Sequence, residues 1–248
     1  AAIQASSSEL VLLVREEAVF IQDKCLEELV RTCLQPGIAA TAPCLIAPGT
    51  GLIQDAGNVL GLEGLVGTPY HLRAKLGDMG YLDDLRTARD ASALSGACLL
   101  VRRESYLAAG GMDDSELGDH FSDADLCQKL LNLKQRLIYQ PLATAVYGGP
   151  TSLDVGCDVE GWARDTVAKA HATRIFSQRW LARSSADPYW NPNLSLITSS
   201  PTPETEYRAQ WQYLPTAAPR ILARPLTNGQ GIYRITAPLT ALRKALVA

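Results

Sequence analysis

The sequence predicts a mixed α/β fold, a sheet covered by helices, and three segments carry this prediction. Residues 10–14 form an uninterrupted apolar run, LVLLV, which predicts a strand buried on both faces, as is typical of a parallel sheet. Residues 23–34 repeat apolar side chains at helical spacing. Residues 97–101, ACLLV, predict a second buried strand. Strands that alternate with helical segments favour the α/β class.

The first helix is predicted over 23–34, where apolar residues recur at 26, 29, 30, 33 and 34. Asp23 is its candidate N-cap, and Pro36-Gly37 closes the segment. Residues from about 44 to 95 are rich in glycine and weakly periodic, so we expect loops and short strands there. A short helix follows the strand at 97–101 and stops at Gly110-Gly111.

A further helix is predicted to begin at Ser122, with Asp125 three residues later in the position of a capping box. Its apolar stripe consists of leucines, at 126, 130, 133 and 137. Residues 136–139 predict a strand that Pro141 ends. Residues 158–182 predict a long helix whose apolar face carries Val159, Ala163, Val167 and Ala170.

Serine and proline accumulate from 184 to 219, which predicts an extended excursion or a linker. Residues 220–248 then show a short strand, a glycine turn and a helix, the order in which a Rossmann-like domain opens. We therefore expect a first domain at 1–200, a linker at 201–219 and the start of a following domain at 220–248. The first strand lacks preceding neighbours and the last unit cannot bury its own faces, so we expect both ends to be cut from a longer protein.

Composition excludes several classes of function. The 248 residues are 47% hydrophobic and 20% charged, as in an ordinary globular protein, and no apolar run is long enough for a membrane span. The net charge of -3 gives no electrostatic footprint for nucleic acid. Six cysteines show no C-x-x-C spacing, and those at 25, 33, 98 and 127 lie in apolar periodic segments. We expect them to be small buried hydrophobes in a reducing cytoplasm.

Five ordered blocks carry a resemblance to a known family. They are LIQDAGNVLG at 52–61, SGACLLVRR at 95–103, GGMD at 110–113, FSDADLC at 121–127 and DPYWNPNL at 187–194. In this order the blocks resemble the second half of family 2 glycosyltransferases of the rhamnosyltransferase-like kind, over about residues 9 to 196. The tail, with GQGIYR at 229–234, resembles the opening of a GT-B-type glycosyltransferase domain.

The resemblance implies an incomplete GT-A domain, that is, a nucleotide-diphospho-sugar transferase sheet, dominated by parallel strands and covered by helices. It implies a nucleotide-sugar donor, a glycan or lipid-linked acceptor, and a role in bacterial surface polysaccharide synthesis. Most of the nucleotide-binding half of the family lies before this chain's first residue, so the chain alone is expected to be inactive. A cytoplasmic protein, at most peripheral to the inner membrane, with further glycosyltransferase domains, is expected.

Asp123 matches the family's general base, which takes the proton of the acceptor hydroxyl as that oxygen attacks the anomeric carbon. We expect it in the first turn of a helix, where the dipole favours the anion. The alternative is that Asp123 only caps this helix. Asp125 fits a cap, and it is also placed among the residues that contact substrate.

Glu16 and Glu17 stand where the family carries its acidic metal motif, which predicts Mg²⁺ or Mn²⁺ held against a diphosphate. The alternative is a solvated charge cluster, partly neutralised by Arg15. Tyr147 and Asp55 occupy positions where the family has histidines, and tyrosine is a poor ligand for these metals. These changes keep open a second hypothesis, a degenerate, non-catalytic GT-A module that binds glycan or scaffolds a neighbouring glycosyltransferase domain.

The remaining candidates are weaker. Gly96 and Ala97 are expected where the backbone approaches a sugar, or else serve packing. Trp180 is a candidate for stacking on a sugar, or else it packs its helix onto the sheet. The histidines at 71, 120 and 171 share no spacing and match no catalytic position of the family. Asn191 and its neighbours in DPYWNPNL are expected to fix a turn.

Overall fold

The computed structural model describes residues 2–149, 159–184 and 186–205. The helices are α1 (Ala2–Ala5), α2 (Cys25–Cys33), α3 (Arg103–Ala108), α4 (Gly118–Asn132) and α5 (Val159–Ser184). The strands are β1 (Leu10–Val14), β2 (Ala18–Phe20), β3 (Ile38–Ile46), β4 (Ile53–Asp55), β5 (Val59–Leu60), β6 (Val66–Gly67), β7 (Arg89–Asp90), β8 (Cys98–Arg102) and β9 (Arg136–Tyr147). A 3-10 turn covers Tyr81–Asp83.

A central seven-stranded sheet organises these elements. Its main path runs β1-β8-β3-β9-β2, with β4 paired to β3 and β7 paired to β9, while β5 and β6 form a separate pair. The predicted α/β class is confirmed. The expected dominance of parallel strands is wrong, because among the described strands β3 and β9 form the one parallel pair.

Strand β1 is present where it was predicted, but its surroundings differ from the prediction. It lies at the end of the sheet path and pairs antiparallel with β8, from Leu10↔Arg102 to Val14↔Cys98. Its residues are only half-buried, and Val14 is 48% exposed. A continuous apolar run therefore does not require a parallel strand buried on both faces. Its neighbour comes later in the chain.

The central strand β3 was missed by the sequence analysis. All nine of its residues are buried, yet the segment IAATAPCLI holds no aromatic residue, and alanines and a proline separate its three β-branched residues. Its partner β9 runs to Tyr147, so the prediction that Pro141 ends this strand is wrong. The register jumps from Pro43↔Gln140 to Cys44↔Thr144, and this irregularity takes up Pro141, which lacks an N–H for the ladder.

The predicted helices form, but their predicted ends are wrong in two cases. Helix α2 has Lys24 as its N-cap rather than Asp23. Helix α4 begins at Gly118 with Leu117 as its N-cap, so Ser122 and Asp125 lie inside the helix and form no capping box. Short helix α3 follows β8 directly and is succeeded by the predicted glycine stop.

Helix α5 packs on α4 through a face other than the predicted one. Ala172 and Phe176 are buried, and the Phe176 ring stacks on Phe121 of α4 with 5.0 Å between centroids. Val167, on the predicted face, is 71% exposed. The side chains of Val159 and Ala163 lie outside the described residues.

The remaining predictions concern the cysteines, residues 201–248 and membrane spans. The cysteines at 25, 33, 44, 98 and 127 are buried free thiols, which confirms the packing interpretation, whereas Cys157 lies outside the described residues. Most of the predicted linker at 201–219, and all of the domain start predicted at 220–248, also lie outside them. None of the described helices combines the length and the apolar character needed to cross a membrane.

Candidate functional site

The predicted site residues meet at one edge of the sheet. Strands β3 and β9 are parallel and end together, with Ile46 opposite Val146. The end of β1 lies opposite the start of β8, with Val14 opposite Cys98. This topology brings the β1–β2 turn, the Gly96-Ala97 segment and the end of β9 to the same edge, where the middle of α4 approaches.

Asp123 is the centre of this edge. Its Oδ2 accepts a hydrogen bond of 2.8 Å from the backbone N–H of Gly96, and its Oδ1 accepts one of 2.7 Å from Ala124. Burial raises the pKa of this carboxyl, while the two N–H donors and Arg15 act in the opposite direction. Asp123 is the sixth residue of α4, so the predicted first-turn position is wrong and the N–H groups replace the helix dipole as its local support.

Gly96 lies so close to this carboxylate that a side chain would crowd it. A Cβ at Gly96 would lie 3.1 Å from Cβ of Asp123 and 3.3 Å from its Oδ2, closer than side-chain atoms normally pack. The backbone approach predicted for Gly96 is therefore observed toward Asp123. Ala97 is buried and its carbonyl accepts the N–H of Arg15 at 3.0 Å, which ties β1 to the start of β8.

Arg15 is a site residue that the sequence analysis undervalued. Its guanidinium donates to Oδ1 of Asp119 at 2.7 Å and lowers the pKa of Asp123 through its charge. It therefore faces the first two turns of α4, whereas the analysis assigned it to neutralising Glu16 and Glu17. Its position directly after β1, at the sheet edge, was the available signal.

Asp55 is a second buried carboxylate near Asp123. It is 6% exposed and accepts hydrogen bonds from Gly57 N–H at 2.8 Å and from Asn58 Nδ2 at 2.9 Å. Burial raises its pKa to about 6, and the charge of Asp123 acts in the same direction. Two carboxylates that repel each other across a partly desolvated edge are a common arrangement for proton transfer.

His71 joins the same neighbourhood, which its sequence spacing did not indicate. Its charge lowers the pKa of Asp55, and its Nδ1 lies 2.8 Å from the carbonyl oxygen of Gln54. A carbonyl only accepts, so Nδ1 carries a proton. His71 Nε2 is buried and has no hydrogen-bond partner in the described part of the chain. Tyr70 and Leu72 on either side have φ of 62° and 51°, a costly conformation for non-glycine residues.

Glu16 and Glu17 lie in the tight turn between β1 and β2. Glu16 is exposed, and the carbonyl of Glu17 accepts the N–H of Gly148 at 3.1 Å. Within residues 2–149, 159–184 and 186–205, no three or more His, Cys, Asp or Glu side chains cluster so that they could hold a metal ion. The predicted role of Glu16 and Glu17 in holding Mg²⁺ or Mn²⁺ stays a prediction.

Tyr147 ends β9, where it pairs with Ala18, and it is 5% exposed. It packs in an apolar cluster with Leu45, Ala97 and Cys98. This packing explains why an aromatic residue is favoured at a position where the family carries histidine. Its predicted contact with substrate stays a prediction.

Asp125 and Trp180 contact each other across the α4–α5 interface. Asp125 is fully buried, and its Oδ1 accepts from Trp180 Nε1 at 2.8 Å and from Arg179 at 3.2 Å. Its Oδ2 pairs with Lys129 at 2.6 Å. This geometry gives both residues a role in joining the two helices, while their predicted contacts with substrate stay predictions.

Comparison with known proteins gives sequence relatives but no match to any protein-family model. The uncharacterized protein y4gI of Sinorhizobium fredii (strain NBRC 101917 / NGR234) is 34% identical over 210 residues, 81% of this chain and 22% of that protein. The O-antigen biosynthesis protein RfbC of Myxococcus xanthus is 25% identical over 206 residues, 80% of this chain and 15% of that protein. The chain thus spans about a fifth of the length of these curated relatives or less.

Two solved structures match part of the chain at low similarity. GalNAc-T7, solved with UDP, GalNAc and Mn²⁺, has a TM-score of 0.43 and 12% identity, over 76% of this chain and 37% of that one. The mannosyltransferase PcManGT of Pyrobaculum calidifontis, solved with GDP-Man and Mn²⁺, has a TM-score of 0.39 and 15% identity, over 75% of this chain and 53% of that one.

Proposed function

We propose that this chain is part of an inverting glycosyltransferase that uses a nucleotide-sugar donor, with Asp123 as the general base. The observation that carries the proposal is the hydrogen bond between Gly96 and Asp123, which joins two motif blocks distant in the sequence. Asp55, from a third block, lies close enough to Asp123 for the charge of Asp123 to raise its pKa. A relative named as an O-antigen biosynthesis protein is in line with a polysaccharide product.

The proposed reaction is a single displacement. The acceptor hydroxyl oxygen forms a bond to the anomeric carbon while the bond from that carbon to the phosphate oxygen breaks. The nucleoside diphosphate leaves with the electron pair of that bond, and Asp123 takes the proton of the hydroxyl. A base works best when its pKa is near the working pH, so the raised pKa of Asp123 favours this role.

The neighbours of Asp123 keep its carboxylate in place and partly offset the rise in its pKa that burial causes. The Gly96 and Ala124 N–H groups fix both oxygens, and Arg15 favours the anion over the neutral acid.

The test is sugar transfer by the complete protein, comparing the parent with Asp123→Asn. The substitution keeps the shape of the side chain but removes the base, so kcat should fall by about 10²- to 10⁴-fold while the KM for donor changes little. Asp114→Asn, at an exposed position of the same region, is the matched control and should keep the parent rate. An unchanged kcat in Asp123→Asn would refute the assignment.

A second candidate is the non-catalytic GT-A module that binds glycan or scaffolds a neighbouring domain. The observation in its favour is that Glu16 and Glu17 find no third acidic or histidine partner among the described residues. Calorimetric titration of Mn²⁺ with UDP or dTDP into the complete protein separates the two. Metal-dependent nucleotide binding that weakens in Glu17→Ala supports the enzyme, and no binding by the folded protein supports the module.

A further inference from the structure

A cavity of about 360 Å³ lies away from Asp123, between the loop at 81–89 and the segment at 189–194. Its walls carry three aromatic side chains, from Tyr81, Tyr189 and Trp190. Polar groups from Asp84 and Asn191 interrupt this aromatic surface. Concave sites of this size, with apolar walls and a few fixed polar groups, are typical small-molecule sites.

Hydrogen bonds hold the walls in place before any ligand binds. Asn191 Nδ2 donates to the phenolic oxygen of Tyr81 at 2.9 Å, which ties the two sides of the cavity together. Asp187 accepts the N–H of Tyr189 at 2.8 Å and the N–H of Leu60 at 2.6 Å, which anchors the 189–194 segment to the main unit. A preformed site of this kind spends little free energy on ordering when it binds.

The two charged side chains in the walls already have partners inside the protein. Both oxygens of Asp84 accept the Tyr70 hydroxyl, at 2.8 and 2.9 Å. Arg89 donates to the carbonyl of Ala56 at 2.7 Å and lies over the ring of Tyr139. Neither a free cationic cluster nor a free acidic cluster is therefore offered to a phosphate or a metal ion by these two side chains.

One donor is available to a ligand. The phenolic oxygen of Tyr81 accepts from Asn191 and so keeps its own proton to donate. Aromatic faces beside hydroxyl-binding groups match a pyranose ring, which has an apolar C–H face and a hydroxyl edge.

We propose that this cavity is a binding site for one neutral sugar ring of a glycan, which packs against Tyr189 and Trp190 and accepts a hydrogen bond from the Tyr81 hydroxyl. The site goes beyond the proposed transfer reaction, because it holds a sugar unit outside the residues that surround Asp123. It is independent of Asp123, so the two proposals fail separately.

The test uses the 248-residue chain with methyl glycosides of glucose, galactose and mannose as probes. Saturation-transfer NMR and tryptophan fluorescence should show binding of at least one glycoside with an affinity on the order of 1 mM. Glycerol, which has hydroxyls but no ring face, should show none. Phenol, which has a ring but only one hydroxyl, should bind more weakly than the glycoside.

Four variants sharpen the test. Tyr189→Ala should weaken glycoside binding by about tenfold or more, whereas Tyr189→Phe keeps the ring and should retain most of it. Trp190→Phe leaves a smaller aromatic wall and should weaken binding by about fivefold. Ile197→Ala, at a 66% exposed position of the same segment, is the control and should bind as the parent does.

Three results would overturn the proposal. They are the absence of binding by every glycoside up to about 10 mM, parent-like binding in both Tyr189→Ala and Trp190→Phe, and tighter binding of phenol than of any glycoside. The phenylalanine variants keep the test meaningful if Tyr189→Ala fails to fold, which circular dichroism would reveal. Loss of transfer in Asp123→Asn, or its persistence, bears on none of these outcomes.

Discussion

Replacing Asp55 by asparagine should stabilise the protein at neutral pH and not in acid. Asp55 is 6% exposed, and burial raises its pKa from 3.8 to about 6. The folded state therefore holds this proton more tightly than the unfolded state does. The contribution of Asp55 to stability is then largest below about pH 4, falls as the pH rises to about 6, and stays level above that.

The magnitude follows from the same two values. The difference between the pKa of Asp55 in the unfolded chain, 3.8, and in the folded protein, about 6, corresponds to a loss of about 3 kcal/mol in the free energy of unfolding at neutral pH, at ~1.4 kcal/mol per pKa unit. Asparagine avoids this cost and can still accept the N–H of Gly57, but its amide N–H₂ would face the amide donor of Asn58. The loss of that hydrogen bond costs about 1 kcal/mol. We expect a net gain of about 2 kcal/mol above pH 7.

The assay is urea unfolding of the parent and of Asp55→Asn, followed by tryptophan fluorescence at several values between about pH 4 and pH 8. The difference between the two proteins cancels the titration of other groups, and Asp114→Asn controls for the loss of one negative charge. The difference should change by about 3 kcal/mol over this range, from about 1 kcal/mol in favour of the parent in acid to about 2 kcal/mol in favour of the variant above pH 6. A difference that does not change with pH, or that favours the parent more strongly as the pH rises, would refute the reasoning.

Three further predictions follow from the same geometry. Gly96→Ala brings a Cβ within 3.1 Å of Cβ of Asp123, so it should lower the free energy of unfolding in urea by about 1–3 kcal/mol. It should also raise the pKa of Asp123 further, as a carboxyl ¹³C NMR titration would show, and an unchanged pKa would contradict the prediction. Asp125→Ala breaks the buried contacts to α5 and should lower the free energy of unfolding by about 3–5 kcal/mol, and a loss below about 1 kcal/mol would show that those contacts matter little. Burial raises the pKa of Cys25 and of Cys33 to about 11, so iodoacetamide at pH 8 should leave both thiols unmodified in the folded protein. Mass spectrometry would show this, and rapid alkylation of either thiol without urea would contradict it.

The sequence predicted the elements whose pattern is local and strong. Helix α2 and strand β8 are where the pattern of apolar residues predicted them. The buried residues of each element recur at the regular spacing of a helix or form the continuous apolar run of a buried strand. Strand β3 was missed, since its alanines and Pro43 carry no strand propensity and its burial comes entirely from neighbours on both sides.

The candidate site could be predicted in part. Gly96 and Asp123 were identified from their motif blocks, but their mutual hydrogen bond depends on how α4 crosses the sheet edge. Arg15 and His71 were undervalued for the same reason: their partners are far away in the sequence. The start of α4 was misplaced, because Gly118 has a φ of 53° and its N-cap, Leu117, offers none of the usual capping side chains.

The hydrogen bonds of α4 connect this helix both to the sheet edge and to α5. Asp123 and Asp125 are two residues apart, which at 100° per residue turns them about 200° from each other, so one faces the sheet edge and the other faces α5. The buried Asp125 accepts hydrogen bonds from α5. Helix α5 ends at Ser184, a few residues before the segment at 189–194 that lines the aromatic cavity. A rotation of α4 by a few degrees would carry the carboxylate of Asp123 through a fraction of an ångström, the scale on which a base gains or loses its alignment with a hydroxyl. Helix α4 thus carries the proposed base on one face and the main contact with α5 on the other.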